Sequence, residues 1–229
     1  LTNAYGDVFL DDFKHDPVYA DSLVVKYSTL IMSISQISET LFILAIPFFL
    51  RRFGIKQVML FSMIAWVLRF GLFAYGNPGD GLWMIILSCV VYGMAFDFFN
   101  ISGSLFVETS TDSKIRSSAQ GLFMMMTNGF GAVLGSVTSG FVIDKFFTDK
   151  YYNLNEFLTK FNLTTDNEWV KSLLKDKVVT DNVLDKPIGI IQWEPVWLTF
   201  AIYAAIIAIA FAILFKHKHN PKDVSNISH

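Results

Sequence analysis

The sequence predicts an all-α integral membrane fold. Two observations carry that expectation: the apolar residues gather in long, nearly uncharged blocks, and the charges cluster between the blocks. A bilayer core needs roughly 20 consecutive apolar residues per helix. A helix on the surface of a soluble domain instead shows polar residues on its outer face at every turn. Bulk composition decides little, because 53% hydrophobic residues lies near the roughly 45–50% of an average soluble domain.

Residues 1–10 form an apolar stretch too short to span a bilayer. They read as the end of a truncated transmembrane helix. The chain opens on Leu1, and no basic start, apolar core and small-residue cleavage site mark a signal peptide. The expectation is therefore a piece of a longer protein. Residues 11–143 should hold four spans. The first, 23–50, stops at Arg51-Arg52, and the second, 58–75, ends at the turn signal Gly76-Asn77-Pro78-Gly79-Asp80-Gly81. The third covers 82–107, and the fourth begins near Ala119 and ends at Ile143. A polar insert, 144–195, separates these from a last span, 196–215, and a tail, 216–229.

Short loops set orientation through their Lys and Arg content. Arg51, Arg52 and Lys56, then Lys114 and Arg116, then Lys216 and Lys218 occupy alternating segments and should be cytoplasmic. The 76–81 turn carries neither Lys nor Arg and should be external. The insert should be external by alternation, since long loops translocate largely regardless of charge. Within it, Trp169, Leu173 and Leu174 fall on one side of a helical pattern. That pattern predicts either a short amphipathic helix on the outer surface or a partly ordered loop. Pro47 lies where a kink is tolerable in a membrane. Gly131, Gly135 and Ser139 form a small-residue row that should let two helix backbones approach closely.

Ionisable and polar groups inside spans are costly and are functional candidates. Ser33, Gln36, Glu39 and Thr40 share one face of the first full span, because residues three and four apart are neighbours on a helix. Such a stripe faces either a water-filled cavity or a partner helix. Low dielectric favours the neutral form of a carboxyl there, which suits reversible protonation. In the third span Tyr92, Phe96 and Asn100 recur at four-residue spacing, Asp97 adjoins that face and Ser104 continues it. Aromatics beside amides suit a planar, hydrogen-bonding ligand such as a nucleobase, with stacking worth about 1–3 kcal/mol per base. Phe98 and Phe99 read as lipid or core contacts. Arg69 either pairs with Asp97 or Glu39 or snorkels outward. Thr127 and Asn128 reach either a cavity or a packing partner.

Several classes are excluded or left unsupported. A net charge of −2 gives no argument for nucleic acid. The single cysteine, Cys89, sits in an apolar block and reads as a small core hydrophobe. No metal or cofactor is expected. His15, His217 and His219 lie outside the spans, so a histidine proton relay is not expected within these helices. No zinc-type His-Glu-x-x-His and no Gly-x-Ser-x-Gly elbow occurs, so nothing supports an enzyme.

Four segments carry a family resemblance: Ser33 through Thr40, Trp66 through Gly76, Tyr92 through Ser104, and Gln120 through Gly131. Together they resemble the nucleoside:proton symporters of the major facilitator superfamily. The similarity covers nearly the whole chain apart from the 145–194 insert, for which the family pattern gives no guide. The resemblance implies a C-terminal six-helix half, its first helix truncated, of a twelve-helix transporter. It implies a plasma-membrane protein, a bacterial inner-membrane one, with a nucleoside and a proton as ligands and an N-terminal half as partner. It implies a nucleoside site contributed here by Asn3, Gln36, Glu39, Tyr92, Phe96 and Asp97, with Asp97 and Glu39 coupling to the proton.

The function so expected is proton-coupled nucleoside uptake by alternating access between two repeats. One rival is a facilitator for another small polar solute, such as a sugar or a nucleobase, which would survive loss of Asp97 and Glu39. Rivals of another class are a membrane-embedded enzyme and a membrane scaffold; a scaffold would show no ligand-dependent stabilisation.

Overall fold

In a bilayer every backbone N–H and C=O must be satisfied within the protein, and a helix does this inside one segment. The apolar blocks accordingly fold as helices. The computed structural model describes residues 2–16, 18–20 and 22–217, with the side chains of residues 2–4, 15 and 23 outside the description. Asn3 is thus placed by its backbone alone, and most of the 216–229 tail lies outside the described residues.

Helix α1 is Thr2–Asp12, followed by a 3-10 turn, Phe13–His15, and a short α2, Leu23–Lys26. The helical run α3 extends over Ser28–Tyr75 and α4 over Leu82–Ser110. Helix α5, Arg116–Met124, passes through a π-helical stretch, Met125–Gly131, into α6, Ala132–Phe146. These three make one rod of 31 residues, Arg116–Phe146. The last long helix, to be called α9 below, is Trp193–Leu214. Four runs among the described residues, α3, α4, the α5–α6 rod and α9, are long and apolar enough to cross a membrane.

Helix α3 is two helices in one run. Gly54 has φ 78 and ψ 169, a backbone state that glycine adopts freely for want of a Cβ. The ring contacts and hydrogen bonds show a hairpin there. Ser38 bonds to Val90 of α4 while Phe42 and Phe49 meet Phe98 further along it, so residues 28–53 run alongside α4 in its direction. Ser62 Oγ donates to the Ala95 carbonyl and Arg69 Nη1 to that of Ser88, so residues 55–75 run against it. Phe53 and Phe61 close the hairpin edge-to-face at 5.2 Å. Arg51, Arg52 and Lys56 sit at this reversal, the kind of short polar link that the two flanking blocks predict.

Several expected span limits shift, with α4 running on to Ser110 and α9 covering Trp193–Leu214 in place of 196–215. Tyr27, at φ −127 and ψ 45, breaks the block 23–50, so the long helix starts at Ser28. The α5–α6 rod exceeds the expected 119–143 at both ends. Among the described residues, the row Gly131, Gly135, Ser139 brings no second backbone close. A Cβ on Gly135 would meet nothing within 4 Å, and one on Gly131 would meet only its own helix at Met126. The row instead borders an apolar hollow of about 390 Å³ facing Trp66, Phe70 and Tyr203.

The insert departs from an all-α expectation. Strand β1, Thr148–Asn153, leads into α7, Leu154–Phe161, and α8, Glu168–Leu174; β2, Val179–Thr180, and β3, Val183–Ile191, then precede α9. The sheet order is β1-β3-β2, antiparallel throughout, with Tyr151 opposite Ile188. Local chemistry sets the boundaries. Asn153 caps α7 by accepting from Glu156 N, and Asn167 caps α8 by accepting from Trp169 N and Val170 N. Asn162 ends α7 in the left-handed region at φ 51. Asp181 and Asn182, both at positive φ, make the two-residue link between β2 and β3 that such residues favour.

This small subdomain has its own core of Tyr151, Leu154, Phe157, Val170, Leu184 and Ile188. Trp169, Leu173 and Leu174 pack against that core. The short amphipathic helix expected here is thus α8, and its apolar side faces the core of the subdomain. Lys160 donates to the Tyr151 hydroxyl, and that bond is the first cause holding its ammonium above the usual lysine range. Phe157 is fully buried, so Phe157→Ala should cost about 3–5 kcal/mol, enough to unfold so small a core. Hydrogen exchange across 148–191 should then lose its protection while α3 and α4 keep theirs. Unchanged protection would mean that this core does not hold the subdomain together.

Candidate functional site

Helix α3 places Thr29, Ser33, Gln36 and Glu39 along one face, as three- and four-residue spacing requires. They line a polar cavity of about 270 Å³ together with Met32 and Ser35, Asp7 of α1 and Tyr92 of α4. The larger apolar hollow beside the α5–α6 rod offers few polar groups. Ligand sites set a few convergent polar groups against apolar walls, which favours the smaller cavity. Gln36 is exposed to it, Glu39 is half-buried and Tyr92 is buried.

The wall exists because α3 and α4 touch backbone to backbone. A Cβ on Gly93 would lie 2.6 Å from Glu39 N and 2.7 Å from the Ser38 carbonyl oxygen. Ser38 Oγ also donates to the Val90 carbonyl across this crossing. Close approach puts Glu39 beside Asp97, near enough for their charges to interact. Asp97 is only 6% exposed, and its Oδ2 has no hydrogen-bond partner among the described residues. It stands outside the cavity lining, on the same helix–helix seam.

The aromatic side of the site is layered. Phe96 stacks on Tyr92 at 5.9 Å and 18°. Trp66 meets Tyr92 edge-on at 5.8 Å. Phe98 points away, fully buried against Phe42 and Phe49, which makes it a core contact. Asn100 Nδ2 donates to the Phe96 carbonyl of its own helix. Gln120 Nε2 donates to the Ser104 carbonyl, joining α5 to α4. Thr127 bonds back to Phe123 in its own rod.

Arg69 does neither of the things expected of it. It is fully buried, so it does not snorkel. Nη1 donates to the Ser88 carbonyl at 2.7 Å, and Cζ sits 4.4 Å from the Tyr92 ring centre and 4.9 Å from that of Phe73. No described carboxylate pairs with it: Nε and Nη2 have no partner among the described residues. Cys89 beside it is buried and unpaired in a disulfide, in keeping with a small core residue.

A model of the family described as nucleoside H+ symporters matches residues 1–220. The chain belongs to the nucleoside H+ symporter family. It is a multi-pass membrane protein, with four runs among the described residues long and apolar enough to cross a membrane, one of them a hairpin. The nucleoside permease NupG of Escherichia coli strain K12 is 46% identical over 232 residues, covering 100% of this chain and 46% of its own length. The xanthosine permease of the same organism is 46% identical over 227 residues, covering 99% and 45%. A crystal structure of the nucleoside transporter NupG superposes with a TM-score of 0.71 over 95% of this chain and 44% of that one. The chain thus spans about half the length of the relatives it matches. The symporter family is one of transporters, and its permease names point away from enzymes.

Of the six residues expected at the symporter site, Gln36, Glu39 and Tyr92 line one cavity, Phe96 stacks on Tyr92, and Asp97 lies within electrostatic reach of Glu39. Asn3 lies one turn before Asp7 in α1, its side chain outside the description. Asp7 itself was not expected, nor were Thr29, Met32 and Ser35. The i, i+4 spacing of Asn3 and Asp7 was the available signal for the first.

Proposed function

We propose that the chain is the C-terminal half of a bacterial inner-membrane transporter that takes up nucleosides with protons by alternating access. In this assignment α1 is the end of the seventh helix, and the two arms of α3 are the eighth and ninth. Helix α4 is the tenth, the α5–α6 rod the eleventh and α9 the twelfth. An N-terminal half would supply the facing wall. The 51–56 reversal and the 111–115 link would face the cytoplasm, and the 147–192 subdomain the outside.

The observation that carries this proposal is the cavity itself. Gln36, Glu39, Asp7 and Tyr92 converge at mid-helix depth in a chain of this family, with Asp97 within electrostatic reach of Glu39. Gln36 offers an amide with both donors and an acceptor. Tyr92 lines the cavity with Phe96 stacked on it. Glu39 and Asp7 offer acceptors for ligand hydroxyls. A protonated carboxyl donates one hydrogen bond, whereas an ionised one only accepts. Glu39 is one turn from Gln36, so a proton arriving at the Glu39–Asp97 pair changes the bonds offered to the ligand. Both carboxylates are then natural proton carriers, with Asp97 the better isolated from the ligand.

Uridine binding to the complete two-half protein tests this. Gln36→Ala should weaken binding by about 1–3 kcal/mol, because a ligand group is left unpaired. Phe96→Ala should also weaken it through lost contact area behind Tyr92. Phe98→Ala should lower stability instead, since that ring fills the α3–α4 core. Equal binding losses from Phe96 and Phe98 would place the ligand on another helix face.

A further inference from the structure

We propose that Arg69 is a positioning residue for the nucleoside site, acting through Tyr92; the inference rests on the function proposed above. A guanidinium with no exposure, inside a membrane-crossing helix, is costly unless it is paired. Here the pairing is unusual. Only Nη1 reaches a carbonyl, that of Ser88, and Ser88 Oγ returns a bond to the Arg69 carbonyl at 3.1 Å. The charge itself rests on two ring faces, Tyr92 at 4.4 Å and Phe73 at 4.9 Å. Rings attract a cation through their quadrupole, and more so when water is excluded.

A staple between the 55–75 arm and α4 would need no charge. The reciprocal Arg69–Ser88 bonds could be made by a neutral amide, without leaving Nε and Nη2 unpartnered in the interior. What the charge adds is its hold on Tyr92, the aromatic that lines the polar cavity. Two consequences follow. The Tyr92 ring is fixed between Arg69, Trp66 and Phe96, so its edge is presented to the cavity in one orientation. A cation over the ring also draws density from the phenol and makes its O–H a stronger donor to an acceptor on the ligand. The base carbonyls and ribose oxygens of a nucleoside are such acceptors.

The test is a double-mutant cycle in the complete two-half protein, read by uridine dissociation constants and, in parallel, by thermal unfolding without ligand. Arg69→Met should weaken binding about tenfold when Tyr92 is present. In a Tyr92→Leu background the same change should cost less than about twofold, because neither a ring to hold nor a phenol O–H to polarise remains. Arg69→Lys, which keeps the charge but not the planar fit, should cost about threefold, again only with Tyr92. Dissociation constants are compared at a temperature where the unfolding curves show every variant folded, so loss of the Ser88 bonds does not enter them. Equal fold-losses with and without the phenol, or unchanged binding in Arg69→Met, would overturn it. Should Arg69→Met fail to reach the membrane, the Arg69→Lys cycle decides by the same criterion. A parent protein that binds no uridine would instead count against the proposed function. Binding by the parent, lost in Gln36→Ala but indifferent to Arg69, would overturn this inference alone.

Discussion

Asp97→Asn in the complete protein should abolish gradient-driven accumulation of nucleoside while leaving measurable nucleoside binding. Asparagine keeps the shape and hydrogen-bonding capacity of a neutral aspartic acid but cannot cycle a proton. Asp97 is 6% exposed, lies outside the cavity lining and is within electrostatic reach of Glu39. Its loss should therefore spare the surface that touches the ligand. Glu39→Gln should behave differently, because Glu39 lines the cavity and its loss costs binding as well. Vesicle uptake against a uridine gradient, with equilibrium binding measured alongside, separates the two. Accumulation by Asp97→Asn that still collapses with an uncoupler would move the proton to Glu39 or to a carboxyl outside this chain.

Gly93→Val should prevent a stable α3–α4 pair. The obstacles to a Cβ are Glu39 N, the Ser38 carbonyl carbon and the Ser38 carbonyl oxygen, at 2.6–2.7 Å, and backbone cannot swing aside as a side chain can. Overpacking commonly costs about 1–3 kcal/mol, and a clash with backbone on both residues belongs at or above the upper end. The Ser38–Val90 hydrogen bond would open with it. Gly103→Ala should be milder, because the atom in its way is the tip of the Phe123 ring, and Gly71→Ala should be neutral, with nothing within 4 Å. Thermal unfolding of the three variants should rank them in that order. A Gly93→Val protein as stable as Gly71→Ala would show that the two helices do not cross there.

The helices were legible because a bilayer imposes a strong compositional signal. Arg51, Arg52 and Lys56 marked the α3 reversal before Gly54 showed its backbone state. The polar stripe of Gln36 and Glu39 was legible for the same reason: in an apolar block, four-residue spacing assigns a face. The insert was less legible. Its strands are short, β2 has two residues, and their apolar side chains serve a private core that no neighbouring span announces. Helix rotation was the other blind spot. Whether Arg69 met a carboxylate or the Tyr92 ring depends on how the 55–75 arm turns against α4, which spacing along one helix cannot fix. The Gly131 row misled for a related reason: small residues permit close approach without requiring it, whereas the approach occurs at Gly93, inside an aromatic run. Asp7 escaped because its block was too short to be assigned a face.

The most direct test of the central claim is uptake of radiolabelled uridine into cells or vesicles by the complete two-half protein, with and without an uncoupler. Concentration of uridine above its external level, lost on adding the uncoupler, is the expected result. No uptake above a protein-free background, or uptake that is indifferent to the uncoupler, would contradict proton-coupled nucleoside transport.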